Sequence, residues 1–344
     1  MKTNKLIFKF TSIIATFVIS YFVYIKIYLI PELKDQGPML YNLTEYQWHN
    51  DVLYFGESSN FWIADSDKDR RTISDMINDS IDGYRLSGIA ASGSHAGNFL
   101  PVIEQINQES RVKHLVITLN LRSFDKPWIY SNLESNLNRI NCFYDGENHL
   151  FNRLKAAFQF YQQPSEKEQE MKMLNAFEFD TLKVDFPLKF NTIKTWCEQE
   201  KFPLPGGGED FPKRELADHY IKAYAFQIDV KTNPRIKDFD DIVEVCKRKK
   251  IQLFFNLMSE NIHYADSLVG KELVYLMKNN RDLLVDRYRK KGVIIIDNLE
   301  TVNANSFGEK NWTTEHYDEI GRMKIAMNVK DTLMKYLPKK QKMN

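Results

Sequence analysis

Val52-Leu53-Tyr54-Phe55 runs directly into Gly56-Glu57-Ser58-Ser59-Asn60, an apolar burst that stops at a glycine and a polar turn. Four consecutive apolar side chains cannot alternate between core and water, so the segment reads as a strand covered on both faces. The same pattern recurs along the chain. Residues 84–91 (YRLSGIAA) stop at Ser92-Gly93-Ser94, 114–119 (HLVITL) at Asn120, 251–257 (IQLFFNL) near Ser259, and 293–296 (VIII) at Asp297. Helical spacing of apolar residues fills the intervals at 98–109, 238–250, 268–291 and 315–337. Strands alternating with helices predict βαβ units, hence an α/β protein with a mostly parallel sheet of about five strands and helices on both faces. Such sheets gather their functional groups at the carboxyl ends of the strands, here just after Phe55, Ala91, Leu119, Leu257 and Ile296.

The N-terminus obeys another rule. Residues 10–25 (FTSIIATFVISYFVYI) carry no charge, and the apolar character continues past Lys26 to Ile30. About 20 helical residues span a hydrocarbon core, a length reached here if Lys26 snorkels to the interface. Lys2, Lys5 and Lys9 precede the run, which favours a cytoplasmic N-terminus and export of the remainder of the chain. No small-residue cleavage signal comes after it, so an uncleaved anchor is expected. The expected plan is a cytoplasmic 1–9, a transmembrane helix 10–30, a linker 31–50, one domain 51–337 and a basic tail 338–344. A helical insertion at 125–234 interrupts the strand rhythm, with helical runs at 150–161, 166–177 and 215–225 and a glycine loop at Gly206-Gly207-Gly208.

Composition narrows the function. A net charge of +1, from 47 basic and 46 acidic residues, gives no field to gather nucleic acid. Three widely spaced cysteines (Cys142, Cys197, Cys246) make neither a disulfide framework nor a metal site. No cofactor motif is present, and the three glycines lack the strand–Gly–Lys–Ser/Thr–helix context of a phosphate loop.

Two residues stand out chemically. Ser58, lifted to the sheet rim by the Gly56 turn, becomes a nucleophile if a base reaches it and N–H donors face the developing oxyanion. His316, ahead of an apolar C-terminal helix, has the near-neutral pKa of a general base. A serine after a strand also makes ordinary turns and caps, and a histidine at a helix start is often a surface residue.

Taken in order, the strand ends resemble the SGNH/GDSL hydrolase family. Gly56-Glu57-Ser58 looks like its Gly-Asp-Ser block, with Glu for Asp. Gly93 resembles the second-block oxyanion glycine, and Asn120 the third-block asparagine, although the Asp that should come next is absent. Thr313-Thr314-Glu315-His316, with Gly321 behind, resembles its Asp-x-x-His block, with Thr313 where the acid should be. The resemblance covers roughly residues 50–125 and 250–335, and with right-handed crossovers it implies a flavodoxin-like three-layer order. It implies Ser58 as nucleophile, His316 as base and Gly93 and Asn120 as oxyanion donors. Glu315 is the first choice to orient the imidazole, with Asp318 or a backbone carbonyl as alternatives. Arg122, His95, Trp128 and Asn256 are expected to line the substrate pocket, and Ser259, Glu260 and Asn261 are further contacts at that edge.

Three activities are compatible with this pattern. The first is an exported, membrane-anchored serine esterase acting on an acylated envelope glycan, lipid or polymer. The second is an O-acyltransferase beside a membrane-bound O-acyltransferase partner, since the chain also resembles single-span proteins of the D-alanylation and alginate-acetylation type. The third is a degenerate, glycan-binding relative, supported by the missing acid at position 313.

Overall fold

The computed structural model describes residues 2–129 and 192–338, with isolated positions between 151 and 171. Five strands form one all-parallel sheet: β1 (Val52–Gly56), β2 (Leu86–Ala90), β3 (His114–Leu119), β4 (Gln252–Leu257) and β5 (Ile294–Asp297). Their order is β2-β1-β3-β4-β5, the flavodoxin-like arrangement.

The period-two alternation of strand side chains divides the core between two helical layers. Leu53, Phe55, Leu115, Ile117, Leu253 and Phe255 face one layer, together with Phe99, Phe239 and Leu276. Val52, Tyr54, Val116, Phe254 and Ile296 face the other, together with Ile73, Ile325 and Val329. Full burial of one such side chain stabilises by about 1.5–3 kcal/mol.

The edges differ from the sequence expectation where capping chemistry overrides apolar spacing. The C-terminal helix begins at Glu319, not 315, because the Asp318 side chain accepts from the Gly321 N–H. His316 therefore precedes the helix. The helix expected at 268–291 spans Lys271–Lys290, and Gly270, with φ +129°, sets it apart from a separate short helix before it, Ile262–Leu268. The helix expected at 238–250 starts at Pro234, after the Asn233 cap. Residues 31–50 are not a loose linker. The helix Pro38–His49 buries Met39, Leu40 and Leu43 in the main core.

At the N-terminus, Lys2–Tyr24 is helical and continues through a π turn (Ile25–Leu29) into Ile30–Gln36. It is long and apolar enough to cross a membrane, and its rings face outward, Phe8 at 74% and Phe17 at 73% exposure. Of the expected insertion, the helices Ile193–Gln199 and Phe211–Tyr224 are seen. The runs expected at 150–161 and 166–177 fall essentially outside the described residues, as does Cys142. The glycine loop is a turn closed by a bridge between Pro203 and Glu209.

Candidate active site

β1 ends in a turn that only a small residue permits. A Cβ on Gly56 would lie 2.9 Å from the Tyr54 ring and 3.1 Å from Asn60 Cβ. The chain then bends through extended Glu57 into a short helix, Ser58–Phe61, whose last turn is closed by the Trp62 N–H donating to the Ser58 carbonyl at 2.7 Å. Glu57, Ser59 and Asn60 are buried, whereas Ser58 is half-buried and faces the rim.

His316 reaches this turn from the far end of the chain. Its Nε2 is 2.9 Å from Ser58 Oγ, and its Nδ1 is 2.8 Å from Glu309 Oε2. A carboxylate can only accept, so Nδ1 carries the hydrogen and Nε2 is left as an acceptor for the serine hydroxyl. The same Glu309 oxygen also accepts from Thr314 Oγ1 at 2.6 Å. Glu309 and His316 both lie on a loop pinched shut by the Gly308 N–H, which donates to the His316 carbonyl at 2.8 Å, and by the Phe307–Tyr317 bridge. That closure sets Gly308 opposite His316 and brings the adjacent Glu309 within reach of the imidazole. Burial holds the imidazole below its ordinary pKa, with Glu309 pulling the other way.

Glu315 does not orient His316. Neighbouring residues along a chain point apart, and Glu315 turns inward, 2% exposed, to form a two-pronged ion pair with Arg122 at 2.7 and 2.5 Å. Asp318, the other acidic alternative, is committed to its helix cap. No signal in the sequence singles out Glu309. It lies seven residues before the histidine, on an irregular loop without periodicity or motif spacing.

The remaining expected residues divide. Asn120 does come to the Ser58 turn, where its Nδ2 donates to Glu57 Oε1 at 2.6 Å. Burial, with the Glu315 charge nearby, pushes the Glu57 carboxyl well above the usual carboxylate range, while the Asn120 hydrogen bond pulls the other way. Gly93 comes after β2 with φ +68°, a conformation that strains any L side chain.

Arg122 is tied to Glu315 rather than open to a substrate, and it lies over the Trp128 ring at 5.6 Å. Trp128 is half-buried beneath it. His95 is not a pocket residue. It is 3% exposed, and its Nδ1 takes the Gly97 N–H at a helix start and the Arg235 guanidinium at 2.6 Å. Burial and Arg235 hold its pKa down at about 2. Asn256 is also structural, fully buried between Tyr54 and Asn298. The further edge residues are internal as well. Ser259 accepts from the Val302 N–H, Glu260 accepts from Tyr224 Oη, and Asn261 caps a helix.

No family model matches the chain, and no curated protein does. Among solved structures, the chain is similar to the lipase/acylhydrolase from Enterococcus faecalis at 9% identity, covering 84% of this chain and 98% of that one, with a TM-score of 0.36. It is also similar to a proposed acylhydrolase from Bacteroides fragilis NCTC 9343 at 8% identity, covering 88% and 97%, with a TM-score of 0.37. Likenesses this loose leave function to be read from the site's own geometry.

Proposed function

We propose that the chain is a membrane-anchored serine esterase working outside the cytoplasm on an acylated glycan, lipid or polymer of the cell envelope. The observation that carries the reading is the unbroken line from Ser58 Oγ through His316 to Glu309. Ser58 Oγ attacks the ester carbonyl while its proton passes to His316 Nε2, and Glu309 stabilises the imidazolium that results. The imidazolium then protonates the departing alcohol, leaving an acyl-serine. Water, deprotonated by His316, releases the acid and restores the hydroxyl. Asn120 and Gly93 stand at neighbouring strand exits as the proposed oxyanion donors.

The binding-module alternative draws its support from Thr313 at the expected acid position. A carboxylate from Glu309 on the imidazole removes that support. Export is supported by the lysines before the apolar helix and by that helix's outward-facing rings.

The test is a fluorophosphonate probe with subsequent peptide mapping, alongside turnover of a p-nitrophenyl ester. Label on the Ser58 peptide, with loss of turnover by ~10⁴-fold or more in Ser58→Ala, is the expected result. Undiminished hydrolysis by Ser58→Ala ends the proposal. Adding a glycan acceptor to the same assay distinguishes water from a sugar hydroxyl as the final acyl acceptor.

A further inference from the structure

Trp62 lies four residues beyond Ser58, and no pattern in the sequence marks it. Its indole is stacked on the His316 imidazole, with ring centroids 5.1 Å apart and planes inclined by 9°. Its backbone N–H closes the nucleophile turn on the Ser58 carbonyl. The base's loop is shaped to receive it. A Cβ on Gly308 would stand 2.1 Å from indole Cη2 and 2.2 Å from Cζ3, so only glycine leaves room for the ring beside the residue that bonds the His316 carbonyl.

Resting on the esterase reading, we infer that Trp62 is a positioning residue that fixes the plane of the His316 ring, so that one nitrogen meets Ser58 and the other meets Glu309. The need for it arises from where the base sits. His316 lies on a loop, outside any helix, and its only side-chain partner besides Ser58 among the described hydrogen bonds is Glu309, a residue of the same loop that is 34% exposed. A partner that open to water holds a ring weakly. The indole adds a second, independent restraint against rotation about the imidazole's long axis. Its electron-rich face also favours the imidazolium formed when the serine proton is taken up. Because the same residue closes the turn on Ser58, nucleophile and base share one mechanical reference.

The experiment compares Trp62→Phe, Trp62→Leu and Gly308→Ala by ester turnover and by ¹⁵N NMR of the histidine rings. Trp62→Leu is expected to lose about tenfold in kcat with KM within about twofold, while Trp62→Phe retains most activity because a ring remains. Gly308→Ala, which pushes the indole aside without altering either stacked residue, is expected to reproduce the kcat loss. The wild-type His316 spectrum should show one tautomer, with hydrogen on Nδ1, giving way to a mixture in Trp62→Leu and Gly308→Ala. Wild-type kcat and a single tautomer in Trp62→Leu would overturn the inference. So would equal losses in the Phe and Leu variants, which would indicate general damage to packing. The NMR signature needs no turnover, so it decides the role of Trp62 even if Ser58 takes no fluorophosphonate and the esterase reading itself fails.

Discussion

A carboxylate can serve a histidine only if it reaches the second ring nitrogen, and the two glutamates near His316 separate on that criterion. Glu309 does so at 2.8 Å, whereas Glu315 is bound to Arg122. Glu309→Gln should therefore lower kcat by on the order of 10²-fold or more, since an amide no longer enforces the Nδ1–H tautomer. Glu315→Gln should keep turnover per folded molecule within a few-fold but lower Tm, because it leaves the Arg122 guanidinium buried and underpaired. The pH profile carries a sign. His316 must be neutral to accept the serine proton, and burial depresses its pKa. The acid limb of kcat/KM should thus fall below 6.5, and removing the Glu309 charge, which raises that pKa, should move it lower still. Ser58 and His316 are legible in the sequence because each sits beside a recognisable break in pattern, a strand end and a helix start. Glu309 and Trp62 are not, since each acts through a loop whose shape is set by a backbone bridge and by the room left at Gly308. His95 and Asn256 mislead for the opposite reason. They are polar residues at the correct edge of the sheet, but they are spent inside it.

Among the elements, the C-terminal helix Glu319–Tyr336 does more than cover a sheet face. Its Arg322 is fully buried. It pairs with Asp67 at 2.7 Å and donates to the carbonyls of Asp69, Arg71 and Tyr317. One guanidinium thereby ties the segment after Ser58 to the residue after His316. Arg322→Met should cost about 3–5 kcal/mol in urea unfolding, because Asp67 would lose its counter-charge, keeping only the Ala64 N–H, and the carbonyls would lose a donor in a dry interior. Asp67→Asn, which leaves every carbonyl contact in place, should cost less. A result with Arg322→Met as stable as the parent would remove the helix from this role. The strands are readable to within two residues because continuous apolar runs leave little freedom in a parallel sheet. Helix starts shift by as much as four residues, since a single cap such as Asp318 or Asn233 outweighs a turn of apolar spacing.

At the scale of the molecule, the N-terminal helix and the α/β body are continuous. Leu29 is buried in the main core, Tyr24, Ile25 and Leu33 pack against it, and the next helix, Pro38–His49, is part of the same core. The sequence suggests a polar tether at 31–50 from its Pro31, Gly37 and Pro38. Those residues instead start and separate short helices. Under the proposed anchoring, the body would stand at a fixed height above the bilayer rather than swing on a leash. A reporter active only in the cytoplasm, fused after the last residue, should be silent, and one that matures only outside should be active; the reverse pattern would overturn the export proposal and every envelope substrate with it.

The hydrogen bond between Ser58 and His316 joins positions 258 residues apart. At ribosomal elongation rates of ~5–20 residues per second, Ser58 would emerge roughly 10–50 s before His316 is even synthesised. Throughout that interval Ser58 is an ordinary alcohol. Under the proposed reading, the nascent chain would thus carry no working hydrolase until the loop bearing His316 docks against the Ser58 turn.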